Sequence, residues 1–140
     1  MVETAAGPMP AYTETLPRIP ESVAHARRLV DLALSVWGLS GVQDIAEIVV
    51  SELLTNAVQH ARRDSVRVTV TRLGDEEVRV AVVDLSRTRP KLRAADADEE
   101  GGRGLAIIDG LSRGRWGVDP KPWGKQVWAD LAPDKESPGE

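Results

Sequence analysis

Ser51-Glu52-Leu53-Leu54-Thr55-Asn56-Ala57-Val58-Gln59-His60 combines polar chemistry with a helical spacing. Residues three or four apart on a helix share a face. Ile45 and Val49 begin one row with apolar side chains. Glu52, Asn56 and His60 continue almost the same row with a carboxylate, a carboxamide and an imidazole. Val50, Leu54 and Val58, flanked by Ala46, Leu53 and Ala57, form a second row that can be buried. A polar row beside a packing face is costly unless it is paired or holds something. Asn56 offers a neutral oxygen suited to a hard cation such as magnesium, which keeps phosphate and water among its other ligands. Glu52 can take a proton from a hydroxyl or water aligned on a γ-phosphate. The same row is also compatible with an amphipathic helix whose polar groups face solvent.

Two further clusters carry comparable chemistry. Asp84-Leu85-Ser86 closes a strand-like run, with Pro90 beyond it. A carboxylate there can accept a hydrogen bond from an exocyclic amine, which selects adenine over guanine, or it can cap a turn. Gly101-Gly102-Arg103-Gly104-Leu105 precedes a helical stretch. Glycines at that place let backbone N–H groups approach an anion, and the helix dipole adds to the attraction. Arg103 can add a charge-assisted contact to phosphate. The cluster lacks the Gly-Lys-Ser/Thr of a P-loop and is not a strand-linked dinucleotide fingerprint. A flexible loop before a helix would look similar.

The elements that must position these groups follow from periodicity. Residues 1–10 read as a disordered segment, 11–132 as one domain and 133–140 as a disordered tail. Tyr12 to Leu16 reads as a short edge strand ended by Pro17. A helix is expected from about Pro20 to Trp37, stopped by Gly38, and a second from about Val42 to Arg63. Val66, Val68 and Val70 alternate with polar residues, as do Val78, Val80 and Val82. The Leu73–Glu77 turn joins them into a hairpin. Arg87 to Gly102 reads as a long polar loop, and long loops in small domains are often functional lids. A helix from Leu105 to about Leu111 follows, then strands over 115–118 and 125–131. The order predicts an α+β sandwich, with helices on one face of a mostly antiparallel, mixed sheet.

Composition narrows the function. The 140 residues carry 18 basic and 22 acidic side chains, a net charge of -4. No basic stripe interleaved with aromatics is present, which argues against direct nucleic-acid binding. Cysteine is absent, so disulfides, thiol catalysis and Cys-based zinc sites are excluded. The two histidines, His25 and His60, lie far apart in sequence, and His25 reads as a surface residue. No apolar run reaches membrane-spanning length, and the expected compartment is the cytoplasm.

Taken together, the three clusters resemble the N, G1 and G2 boxes of the GHKL ATP-binding superfamily, in particular the branch of bacterial anti-sigma regulatory factors with serine/threonine kinase character. Ser51–His60 looks like the N box, Val82–Pro90 like G1 and Gly102–Ile108 like G2. Arg115–Val118 and Gly124–Ala129 resemble the closing hairpin. The likeness spans roughly residues 12–132 and implies the Bergerat α/β sandwich. It further implies Glu52 as general base, Asn56 as magnesium ligand and Asp84 as acceptor for the adenine amine. The backbone of Gly102, Gly104 and Leu105 would cradle phosphates, with Arg103 beside them, and residues 87–102 would form an ATP lid. Ser86 stands where histidine kinases and chaperones usually carry glycine, as it does in the anti-sigma branch. Gln126 stands where the last strand often has threonine, a position expected near adenine. His60 would touch phosphate or lid, or else bond to backbone. The implied activity is ATP- and magnesium-dependent phosphorylation of a STAS-type anti-anti-sigma partner, with a sigma factor as a second partner and a homodimer possible. The alternative is a module that regulates its partner by contact, without kinase activity.

Overall fold

The computed structural model describes residues 2–5, 9–60, 64–84, 104–122 and 124–133. Its elements are β1 (Val2–Ala5), β2 (Ala11–Pro17), α1 (Ser22–Trp37), a 3-10 turn (Ser40–Val42), α2 (Gln43–His60), β3 (Ser65–Arg72) and β4 (Val78–Asp84). A third helix, α3, is described over residues 104–112. Strands β5 (Trp116–Lys121) and β6 (Gly124–Leu131) complete the fold. The six strands form one sheet in the order β1-β2-β3-β4-β6-β5, and all five pairings are antiparallel. The sheet is therefore antiparallel rather than mixed.

Helix α1 buries Ala26, Leu29, Val30, Ala33 and Leu34. It ends because Gly38 takes φ 70°, a left-handed conformation that glycine adopts without a Cβ penalty. The Leu39 N–H then donates to Leu34 O at 2.8 Å, closing the last turn. Pro20 lies before the helix, not in its first turn. The Ser22 hydroxyl donates to Pro17 O at 2.7 Å and its N–H to Ile19 O at 3.0 Å, so the chain turns there before α1 begins. The second helix starts with the 3-10 turn at Ser40–Val42; residues 61–63, expected at its end, lie outside the described residues.

The helical layer covers one sheet face. Val66, Val68 and Val70 of β3, Val78, Val80 and Val82 of β4, and Ala129 and Leu131 of β6 all point into the core with Val49, Val50, Leu53 and Leu54 of α2. The opposite face holds a polar network. Arg79 Nε donates to Asp130 Oδ1 at 2.6 Å and Nη2 to Asp130 Oδ2 at 3.0 Å. This carboxylate holds the guanidinium still more firmly in its charged form. The same guanidinium lies 4.1 Å from the centre of the Trp128 ring, a cation–π contact. Behind that ring, a methyl group at Gly117 would fall 2.8 Å from a Trp128 carbon, so glycine makes room for the indole.

The N-terminal expectations need correction. Val2–Ala5, read as part of a disordered segment, pairs with Ala11–Glu14 of β2. Strand β2 is therefore interior: β1 lies on one side and β3 on the other. The backbone donors and acceptors of β2 recruit the short segment through pairing, which needs no strong strand composition of its own.

Candidate functional site

Helix α2 presents its polar row where the layers meet. Val49, Val50, Leu53 and Leu54 are buried and fix the rotation of the helix over the sheet. With that face committed, Glu52 and Asn56 are half-buried at the margin, whereas Thr55 and Gln59 are exposed. Ser51 turns its hydroxyl back to Glu47 O at 2.8 Å and so is engaged within the helix. Arg18 Nη1 donates to Val58 O at 2.7 Å, tying the chain beyond β2 to the last turns of α2.

Gly104, the first described residue of α3, faces this row. A methyl group at Gly104 would stand 3.1 Å from Glu52 Oε1, 3.6 Å from Asn56 Nδ2 and 3.9 Å from Asn56 Oδ1. The carboxylate, the carboxamide and the backbone of a single glycine are thus gathered into one place from sequence positions about fifty apart. Leu105 anchors this arrangement, because its side chain packs against the core and seats the first turn of α3. Trp116 Nε1 donates to Asp109 Oδ1 at 2.9 Å and ties α3 to β5.

Asp84 is half-buried at the end of β4. Its register partner is Val66, a core residue, so strand alternation puts Asp84 on the helix-covered face. Helix α2 packs on β4 along the same layer. Gly124, at the start of β6, lies against the Asp84 backbone: a methyl group there would fall 2.5 Å from Asp84 O and 3.5 Å from Asp84 Cβ. Sequence reasoning assigned Gly124 no role beyond the closing hairpin. The available signal was a glycine opening a strand, which often marks a close backbone approach.

Gln126 does not join this group. It pairs with Val83 and Asp119, and it alternates with Val127 and Ala129, which point to the core. The pleat therefore directs it to the face that carries Arg79, Trp128 and Asp130. The resemblance singles out a residue on this strand, and the pleat sets the face that the residue takes. His25 is exposed, as expected. Ser86, Gly102, Arg103, the side chain of His60 and the lid segment 87–102 lie outside the described residues.

The donor set fits a nucleotide with magnesium. Among the described residues, no group of three or more His, Asp or Glu side chains is placed to hold a metal. A single carboxamide with a neighbouring carboxylate leaves most coordination positions to phosphate oxygens and water, the arrangement magnesium favours. At Gly104 the backbone, with no side chain of its own, stands close beside that pair. Glycine also permits the close approach of phosphate oxygens to backbone N–H groups.

The family model of the histidine kinase-like ATPase domain matches residues 16–129. The chain belongs to this family. The matched span runs from the end of β2 to β6 and includes Glu52, Asn56, Asp84, Gly104 and Gly124. The six-stranded sheet with its helical layer agrees with the fold of such ATPase domains, a nucleotide-binding class. No curated protein matches the chain. Among the described residues, no helix is long and apolar enough to cross a membrane.

Proposed function

We propose that the chain binds magnesium-ATP and transfers its γ-phosphoryl group to a serine or threonine of a partner protein, in the manner of anti-sigma factor kinases. The observation that carries the reading is the convergence of Glu52 Oε1 and the Asn56 carboxamide on Gly104. Asn56 holds the magnesium together with the ATP phosphates, and the metal when bound neutralises charge developing on the phosphate oxygens. The backbone at Gly104 and Leu105, with Gly102 and Arg103, binds phosphate. Asp84 accepts the exocyclic amine of adenine.

The acceptor hydroxyl oxygen attacks the γ-phosphorus, and the bond from that phosphorus to the β–γ bridging oxygen breaks. ADP leaves, and the hydroxyl proton passes to Glu52. Such a transfer asks mainly for positioning and electrostatic stabilisation. A half-buried carboxylate beside the phosphate cradle suits that task. The partner class best matched by the resemblance is a small STAS-type anti-anti-sigma protein, with a sigma factor as the regulated target in the cytoplasm. Ser86 in the G1 segment supports this branch over histidine kinases and chaperones.

The test is a calorimetric ATP titration with and without magnesium, on the wild type and on Asn56→Ala. The wild type is expected to bind ATP in a magnesium-dependent manner, and the variant to lose that dependence together with most of the affinity. Transfer of radiolabelled γ-phosphate to candidate STAS proteins then follows. ATP binding with no phosphorylation of any partner would assign the chain to regulation by contact alone.

A further inference from the structure

We propose that Gly124 is a positioning residue for base recognition: its missing side chain lets the start of β6 press against the end of β4 and so fixes where the Asp84 carboxylate stands. The inference rests on the adenine reading of Asp84. The contact is with backbone. A methyl group at Gly124 would lie 2.5 Å from Asp84 O, 3.4 Å from Asp84 C and 3.5 Å from Asp84 Cβ. A backbone carbonyl has no rotamer through which to move aside, and the residue that carries this one is held by its pairing with Val66 of β3. The register holds both strands: Val83 opposes Gln126 and Val82 opposes Val127, while Val66 opposes Asp84 from β3. Any side chain at 124 must therefore displace one strand end relative to the other. The clash is with the Asp84 carbonyl, and Asp84 Cβ, in ordinary contact at 3.5 Å, is carried along because it belongs to the same residue.

Gly117 provides an internal comparison. It lies in the same β5–β6 hairpin and is as crowded, with a Trp128 carbon at 2.8 Å from the position of a methyl group. Its neighbour, however, is a side chain, and the contact lies on the face away from the helices. Crowding at Gly117 strains the hairpin without pushing on Asp84. Loss of base recognition through general loosening is thereby separable from loss through displacement of Asp84.

Inosine triphosphate is the discriminating probe. It keeps the ribose and triphosphate of ATP and replaces the exocyclic amine by a carbonyl, which repels a carboxylate acceptor. The wild type is expected to prefer ATP over inosine triphosphate by about ten- to hundred-fold, the range for a hydrogen bond to a charged group. Gly124→Ala is expected to reduce that preference to within about threefold while its affinity for inosine triphosphate stays within about threefold of wild type. Gly117→Ala is expected to lower thermal stability and keep the preference. Asp84→Glu retains the charge but moves it by one methylene, and it too is expected to lose the preference. This variant reads carboxylate placement even where Gly124→Ala does not fold.

The inference is overturned by a Gly124→Ala protein that keeps the wild-type preference, by a Gly117→Ala protein that loses it equally, or by an Asp84→Glu protein that retains it. A wild type that binds neither nucleotide overturns the proposed function itself. A wild type that discriminates, beside a Gly124→Ala variant that discriminates equally, overturns only the role of Gly124.

Discussion

Glu52 and Gly104 set the first pair of expectations. Glu52→Ala should leave magnesium-dependent ATP affinity near the wild-type value and lower phosphate transfer by about 10²- to 10⁴-fold, the usual worth of a positioned general base. Single-turnover transfer assays check this, and unchanged transfer would remove Glu52 from the chemistry. Gly104→Ala should move activity and stability in opposite directions. The added methyl group meets Glu52 Oε1 at 3.1 Å, and the far end of that flexible side chain can retreat by a few tenths of an ångström. Stability should therefore hold or rise, by up to about 1 kcal/mol from the better helix former. Transfer should fall by roughly tenfold, because small misplacements of a catalytic group are expensive in rate. A thermal melt beside the transfer assay reads both. The Glu52–Asn56 pair was legible in the sequence because two polar residues one turn apart interrupt an apolar helical row. Its partner Gly104 was legible only as one glycine among several, since nothing local tells which of them faces α2. The face taken by Gln126 was not legible for a related reason. A resemblance aligns residues along a strand, but the core positions of Val127, Ala129 and Leu131 decide which face a given residue takes.

At the scale of elements, the α1–α2 seam carries a titration. The Glu47 carboxyl is raised above its ordinary 4.5, first by its hydrogen bond with Asp31, then by burial and by the Asp31 charge; Gln43 and Arg27 act in the opposite direction. A carboxyl that holds its proton more tightly in the folded state makes that state bind more protons than the unfolded chain. Stability therefore falls as pH rises from about 4.5 through the raised value, and the cost is complete above it. Asp31→Asn should remove the main cause. Melting at neutral pH should shift upward, by roughly half a kcal/mol or less because solvent screens the pair. Melting near pH 3, below the ordinary 4.5 of the Glu47 carboxyl, should change less. An equal shift at both pH values would count against the pairing. The helices, the β3–β4 hairpin and the β5–β6 pair were legible because periods of 3.6 and 2 are sustained over several turns and pleats. Strand β1 was not, because Val-Glu-Thr-Ala acquires its structure from the open edge of β2 and not from its own pattern.

For the whole molecule, strand order separates stability from function. The groups assigned to nucleotide lie on α2, α3, β4 and the start of β6, at the centre of the layered fold. Strand β1 occupies the far edge, beyond β2 and β3. Removing residues 2–5 should thus lower the melting temperature by a few degrees, consistent with roughly 1 kcal/mol in a domain of this size. ATP affinity should stay within about twofold, a change too small to register as a lost contact. Equilibrium melting and calorimetry on the shortened chain test the separation, and loss of binding would tie the edge to the site. The polar outer face adds to the same division. Arg79, Asp130 and Trp128 clasp β4 to β6 from behind, on the side away from the helices.

Because β4 is flanked by β6 and not by β5, the strand that ends in Asp84 finds its second neighbour only after the chain has passed through α3 and turned back on itself. In chain order, α1, α2 and the β3–β4 hairpin all precede that neighbour. A nascent chain at that stage has the polar row of α2 but neither Gly104 opposite it nor Gly124 behind Asp84. The groups assigned to nucleotide are thus brought together only in a chain made through β6.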